Sequence, residues 1–152
     1  PDYVVRVAAD KAHAVAAASP GVIVVAADTA VVLDGEPLGK PVDRQDALMT
    51  LGRLSGRTHE VLSAVVVIDP DGIEHAELAR AIVTMHETDA AEREWYVATG
   101  EPMDKAGSYA VQGIGAVLVD RVDGDPSTVI GLPLRLTLDL LQLAGLAWPP
   151  SA

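Results

Sequence analysis

VVAADTAVVLDGEPLGKP, Val24 to Pro41, is the stretch whose division into elements decides the fold. With Val22 and Ile23 ahead of it, VIVVAA from Val22 to Ala27 is a β-branched run without polar alternation, the pattern of a strand buried on both faces. Asp28 follows this run directly and is expected at the strand's carboxyl end. TAVVLDGEPLG then gives a second strand, which turns at Asp34-Gly35 and returns through Glu36 to Gly39. Lys40 and Pro41 stand just beyond the hairpin.

Working outward, Pro1 to Ala18 reads as a helix, with Pro1 suited to a first-turn position and Val4, Val7, Ala8, Lys11, Ala12 and Val15 at helical spacing. Ser19-Pro20-Gly21 stops it. Asp43 is an N-cap for a helix from Arg44 to about Leu54. HEVLSAVVVID and IEHAELARAIVTMHET flank Pro70-Asp71-Gly72 and predict a long hairpin. Asp89 caps a short helix closed by Gly100. Gly100 to Gly115 reads as a structured, Gly-rich loop, AVLVDRV as a strand and DGDPST as a turn. LPLRLTLDLLQLAG reads as a C-terminal amphipathic helix, with a tail from Trp148 to Ala152. Helices covering a mixed β-sheet, an α/β class, are the expectation, with residues 1–152 forming one domain.

The totals exclude several classes. A net charge of -11 repels phosphate polymers and anionic membranes at long range, so neither a nucleic-acid polymer nor a membrane is an expected partner. The absence of Cys removes disulfides, thiolate metal sites and Cys nucleophiles. No apolar run approaches the ~20 residues of a membrane span, and no signal-peptide pattern opens the sequence. A cytoplasmic protein is expected. Gly-x-Ser-x-Gly, P-loop and dinucleotide fingerprints do not occur. Pairing of the Val-rich hairpin strands is a route to a homodimer.

Candidate chemistry rests on scarcity and position. The chain has only three lysines, Lys11, Lys40 and Lys105, against eight arginines. Each lies among small or Gly neighbours, where a ligand can approach the backbone and an ammonium can meet phosphate oxygens. Chance placement of so few residues is the rival reading. Asp28 at a strand end can hold a divalent cation or polarise a water; equally, it can cap the strand by accepting backbone N–H bonds. His59 beside Glu60 is read as a structural histidine, because adjacent strand residues point to opposite faces.

AADTAVVLDGEPLGKP (26–41), LSGRTHEV (54–61), TGEPMDKAGSYAVQGIGA (99–116) and GDPSTVIGLPL (124–134) together resemble the Maf family, in that order and at that spacing. The resemblance covers nearly the whole sequence. It implies an α/β fold like that of the inosine-triphosphatase group, with a nucleotide cleft, and a pyrophosphatase that hydrolyses a nucleoside triphosphate. It implies that Asp28 is the essential acid, as metal ligand or water activator for Mg²⁺ or Mn²⁺, and that Lys11 and Lys40 contact phosphates. Thr29 and Gln112 match the branch acting on dTTP and UTP, and Glu101 and Lys105 would shape the pocket. Family members also carry a strand and a Ser-x-Ser-x-Arg-Arg phosphate loop ahead of the first helix. The sequence from Pro1 contains neither. The expectation is therefore either a further N-terminal piece or an impaired form, and the second class of function is a nucleotide-binding regulator linked to septum formation.

Overall fold

The computed structural model describes residues 1–150; the last two residues of the expected tail, Ser151 and Ala152, lie outside the described residues. In chain order the elements are α1 (Asp2–Ala18), β1 (Val24–Leu33), β2 (Glu36–Leu38), α2 (Arg44–Leu54), β3 (Thr58–Ile68), β4 (Glu74–Met85), α3 (Ala90–Ala98), β5 (Val119–Asp123), α4 (Pro126–Ile130) and α5 (Leu134–Leu143). Three one-turn 3₁₀ helices, Glu101–Asp104, Ala106–Ser108 and Ile114–Leu118, form the loop between α3 and β5.

The strands make one sheet in the order β2-β1-β3-β4-β5. Helices flank it as expected, but its pairing is not mixed: all four pairings are antiparallel. Two tight hairpins, at Asp34-Gly35 and Asp69–Gly72, set that direction, and β3 and β5 enter beside β1 and β4 from the opposite end. β1 also corrects the division of its sequence. Val24 to Leu33 is one continuous strand, and Asp28 lies in its middle, paired with Ala64, not at its end. A polar pair inside an apolar run does not break a strand whose ladder on β3 continues from Val24 to Val32.

β3 lies between β1 and β4 and is buried along nearly its whole length, which is why VLSAVVVI shows no alternation. That position removes β3 from any edge; of the two hairpin strands only β4 keeps one, from Glu74 to Ala81, where among the described residues no strand pairs beyond it. On one face α1 lays Val4, Ala8 and Ala12 against Val24, Ala30, Leu62, Ala64, Val66 and Ile68. The fully buried Ala8 and Ala12 bring the helix axis close to the sheet. On the other face, α2, α3 and the 3₁₀ loop enclose Leu33, Leu51, Leu54, Val61, Val83, Tyr96 and Tyr109, while α5 covers Val65 and Val67 with Leu140 and Ala144.

Local signals place the helices. Asp43 accepts from Asp46 N–H at the start of α2, and Asp89 with Glu92 forms a reciprocal capping box on α3. The expected turn at DGDPST instead contains a short helix, because Asp125 accepts from Ser127 N–H and Pro126 occupies its first turn. No helix among the described residues is long and apolar enough to cross a membrane.

The sheet's geometry opens a site at β1. Strand β2 pairs only with Val31, Val32 and Leu33. Among the described residues, β1 from Val24 to Ala30 therefore has β3 on one side and no strand on the other. Side chains from both faces of β1 can reach a cavity along that edge.

Candidate active site

A cavity of about 260 Å³ lies along this edge, lined by residues of α1, β1 and α4, of the segment after β2 and of the 3₁₀ loop. Lys11, Asp28, Thr29, Lys40 and Lys105 all line it, and with them every lysine of the chain. Asp104, Tyr109, Val129, Ile130 and Gly131 also line it, none of them singled out from the sequence. A larger cavity of about 480 Å³ lies on the α1 face. Its walls are Tyr3, Val4, Ala30, Val32, Leu62 and Leu78, and its charged groups, Glu60 and Arg80, are paired with each other at 2.8 Å. Size favours that cavity, but convergent chemistry favours the smaller one.

Asp28 faces α1, where Lys11 Nζ donates to its Oδ1 at 2.7 Å and to the Ala27 carbonyl at 3.3 Å. The Asp28 side chain is only 18% exposed against 53% for Lys11, so the carboxylate is largely sequestered while the lysine that meets it is open to solvent over about half its side chain. Across the cavity, Lys105 Nζ donates to Asp104 Oδ1 at 2.7 Å. That bond, with the charges of Lys105 and Lys40, holds the Asp104 carboxyl below the usual carboxylate range. The influence of Lys40 on Asp104 brings the third lysine into the same electrostatic neighbourhood. Among the described residues, Lys40 has no ion-pair partner of its own.

The two loops that carry Lys40 and Lys105 are joined by their backbones. Gly107 N–H donates to the Gly39 carbonyl at 3.1 Å. Gly107 has φ 71°, and a side-chain carbon there would lie 3.0 Å from Val31 Cγ1. Only glycine allows both the left-handed turn and the close approach.

Thr29 points to the opposite face from Asp28, as alternation along a strand requires. Its Oγ1 lies 2.7 Å from Ser63 Oγ and 3.5 Å from the Gly131 carbonyl. Ser63, fully buried, donates to the Thr128 carbonyl at 2.7 Å. The chain of contacts fastens α4 to the sheet.

Two expected site residues do not line this cavity. Glu101 was expected to shape the pocket, but both its oxygens are engaged elsewhere. Oε1 accepts from Ile114 N–H at 2.8 Å. Oε2 accepts from Gly115 N–H and from the Tyr96 hydroxyl, each at 2.7 Å. Burial works to raise the Glu101 pKa, but these donors outweigh it and hold the group below its ordinary value. Tyr96 in turn accepts from Ala110 N–H at 3.1 Å. Gln112 is exposed in the turn that this scaffold supports. Gly113 completes the packing: a side-chain carbon there would lie 1.9 Å from Glu101 Oε1.

His59 is buried, with Nε2 2.8 Å from the Tyr109 hydroxyl and the two rings edge to face. Burial lowers its pKa to about 4, so it is neutral at ordinary pH and fixes the tyrosine that forms part of the cavity wall. It is a structural histidine, as expected. Asp104 was detectable as the neighbour of a scarce lysine. Ser63 and Thr128 carried no signal, since their partners come from distant strands and loops.

Among the described residues, no three His, Cys, Asp or Glu side chains converge as a metal cage. The cavity instead offers two carboxylates and three ammonium groups. This set fits a cation of the Mg²⁺ type, which takes one or two carboxylates and completes its shell with water and phosphate oxygens. Among the described residues, only one oxygen of Asp28 is engaged, by an exposed lysine that can exchange partners.

Comparisons with known proteins place the chain in a family. The family model described as "Maf-like protein" matches residues 1–144. A dTTP/UTP pyrophosphatase of Anaeromyxobacter dehalogenans (strain 2CP-1) is 51% identical over 151 residues, covering 97% of this chain and 76% of that protein. Proteins of the same description from Myxococcus xanthus and Symbiobacterium thermophilum are 48% and 47% identical, covering 97% and 95% of this chain and 74% of each relative. By motif order, by family match and by relatedness along nearly its whole length, the chain belongs to the Maf family.

Proposed function

We propose that this chain hydrolyses dTTP and UTP between the α- and β-phosphoryl groups, releasing the nucleoside monophosphate and pyrophosphate. One observation carries the reading: all three lysines, far apart in sequence, gather with Asp28 in one cavity of a protein whose net charge is -11. A triphosphate is repelled by most of this surface and attracted at that cavity.

The lysines do the electrostatic work. Lys11, Lys40 and Lys105 place ammonium groups around the phosphate chain and neutralise charge as it develops on the bridging and leaving oxygens. Lys40 is free to do so at once, while Lys11 and Lys105 first leave Asp28 and Asp104. The carboxylates they release are then available to a cation. Asp28, with Asp104 nearby, would hold Mg²⁺ or Mn²⁺; when bound, such an ion supplies Lewis acidity toward phosphate oxygens and the attacking water. No covalent intermediate is required. Glu101 and Tyr96 support the turn on which Gln112 offers a paired donor and acceptor to a base edge. The reading takes residues 1–152 as one domain acting on free nucleotide in the cytoplasm. Nothing in the site favours binding without turnover.

The test is pyrophosphate release from dTTP and UTP with Mg²⁺ or Mn²⁺ added. Release that requires the cation and ceases with EDTA is the expected result; tight nucleotide binding without release would overturn hydrolysis in favour of the regulator.

A further inference from the structure

The segment from Lys105 to Tyr109 is held in a form that its own residues do not favour. Gly107 and Ser108 are successive residues in the left-handed region, with φ 71° and 60°. Ser108 is fully buried, and its hydroxyl has no hydrogen-bond partner among the described residues. A non-glycine residue keeps such a conformation only where neighbouring contacts fix it. Gly107 N–H donates to the Gly39 carbonyl, and Ser108 N–H closes back on the Lys105 carbonyl, each at 3.1 Å. The Tyr109 hydroxyl meets the buried His59. Against Gly107 lies Val31, whose cross-strand partner in β2 is Leu38, the residue before Gly39. The β1–β2 hairpin therefore supplies both the floor and the anchor of the Lys105 loop, and Lys40 follows that anchor directly.

We propose that Gly107 is a positioning residue, which sets the spacing of Lys40 and Lys105 so that the two ammonium groups meet one phosphate chain as a fixed pair. The proposal rests on the pyrophosphatase reading above. A lysine ammonium is a compact charge on a flexible stem, and two of them act together only where the backbones that carry them are held relative to each other. The Gly107–Gly39 bond does this through main-chain atoms, one residue from Lys40 and two from Lys105. The charges of both lysines already meet at Asp104. A side-chain carbon at residue 107 would lie 3.0 Å from Val31 Cγ1 and 3.2 Å from its Cβ and Cγ2, so it must lift the Lys105 loop or push the hairpin. Either movement changes the distance between the lysines without touching them.

The experiment is a double-mutant cycle, read by equilibrium binding of the non-hydrolysable α,β-methylene analogue of UTP in the presence of Mg²⁺. Gly107→Ala and Lys105→Met are made in the full chain, alone and combined, and measured below the melting temperature of each. Loss of one charge-assisted contact predicts about 10-fold weaker binding for Lys105→Met. Gly107→Ala should weaken binding by about 3- to 10-fold, and adding Lys105→Met to it should cost less than about 3-fold more, because the glycine acts through that lysine. A merely structural glycine would lower the melting temperature and leave Lys105→Met its full effect. Val31→Ile adds a methyl group at the same contact while the glycine keeps its left-handed turn; it should give the same non-additivity and takes the place of Gly107→Ala if that variant does not fold. The full 10-fold loss for Lys105→Met in the displaced-loop background overturns the proposal, as does Gly107→Ala binding as tightly as the unmodified protein. Unchanged binding by Lys105→Met alone overturns both the proposal and that lysine's part in the reaction. Binding without pyrophosphate release by the unmodified chain overturns hydrolysis but not this spacing; absence of binding overturns both.

Discussion

Asp28 and Glu101 are carboxylates of similar sequence character, each beside small residues and each expected to serve the ligand, yet the fold uses them in opposite ways. Asp28 has one oxygen engaged, by a lysine that is 53% exposed. Glu101 has both oxygens engaged by a tyrosine hydroxyl and two backbone N–H groups. A carboxylate with spare lone pairs and an exchangeable partner can bind something new. One that satisfies otherwise orphaned backbone donors cannot leave them without cost. Remaining bonding capacity, more than residue type or motif membership, separates the acid suited to chemistry from the acid that holds a loop.

The largest expected effect lies on the chemical side. Asp28→Asn keeps an acceptor for Lys11 but loses the charge that a cation requires, and turnover of dTTP and UTP should fall by about 10²–10³-fold, the scale of one lost electrostatic contact in a catalytic site. The melting temperature should barely move. Pyrophosphate release and a thermal melt on the same sample check both halves. Turnover that survives would erase the distinction between the two acids.

Next in size is the interior behind the cavity wall. His59 is buried with a folded-state pKa of about 4, below the ordinary 6.5, so the unfolded chain takes up the proton first as pH falls. Its stabilising contribution is complete above about pH 6.5 and is lost between there and pH 4, by up to about 3 kcal/mol. Urea melts at pH 7 and pH 4.5 should show the loss. His59→Phe should flatten that part of the slope while the contribution of the carboxylates remains.

Glu101→Ala comes third. It strands the Ile114 and Gly115 N–H groups and the Tyr96 hydroxyl, and should cost about 2 kcal/mol, a charge-assisted bond's share with water rescuing the rest. Glu101→Gln keeps an acceptor and should recover part of it. The signature is the reverse of Asp28→Asn: the melting temperature drops, while the folded fraction retains much of its kcat. A large fall in kcat at unchanged stability would return Glu101 to the active site.

These contrasts also mark what could be read from residues alone. The capped helices, the β3–β4 hairpin and the candidacy of Asp28, Lys11 and Lys40, which the fold gathers in one cavity, were legible, because capping, turn chemistry and scarcity are local properties. Asp28's place in mid-strand was not: a strand's continuity depends on the ladder its neighbour offers, and β3 is distant in sequence. Glu101 was misplaced for a related reason. Its partners are backbone N–H groups, which every residue carries and no sequence marks. Ser63 and Thr128 are ordinary hydroxyl residues until β3 and α4 meet. The antiparallel pairing of the whole sheet likewise follows from how hairpins and longer connections return, which apolar runs do not encode.

The smallest expected effect tests whether the Lys11–Asp28 pair belongs to the fold at all. Its 2.7 Å contact resembles a stabilising salt bridge, but the exposed ammonium gives up little hydration and keeps its alternatives in solvent. Such pairs contribute on the order of 1 kcal/mol or less. Lys11→Met preserves the aliphatic stem and helix propensity, so unfolding free energy from denaturant melts should change by no more than that. Turnover, by contrast, should fall clearly if the ammonium leaves the carboxylate to meet phosphate oxygens. A large loss of stability with unchanged activity would make the pair architectural, and Asp28 would then stand with Glu101 as an acid whose partners hold the protein together.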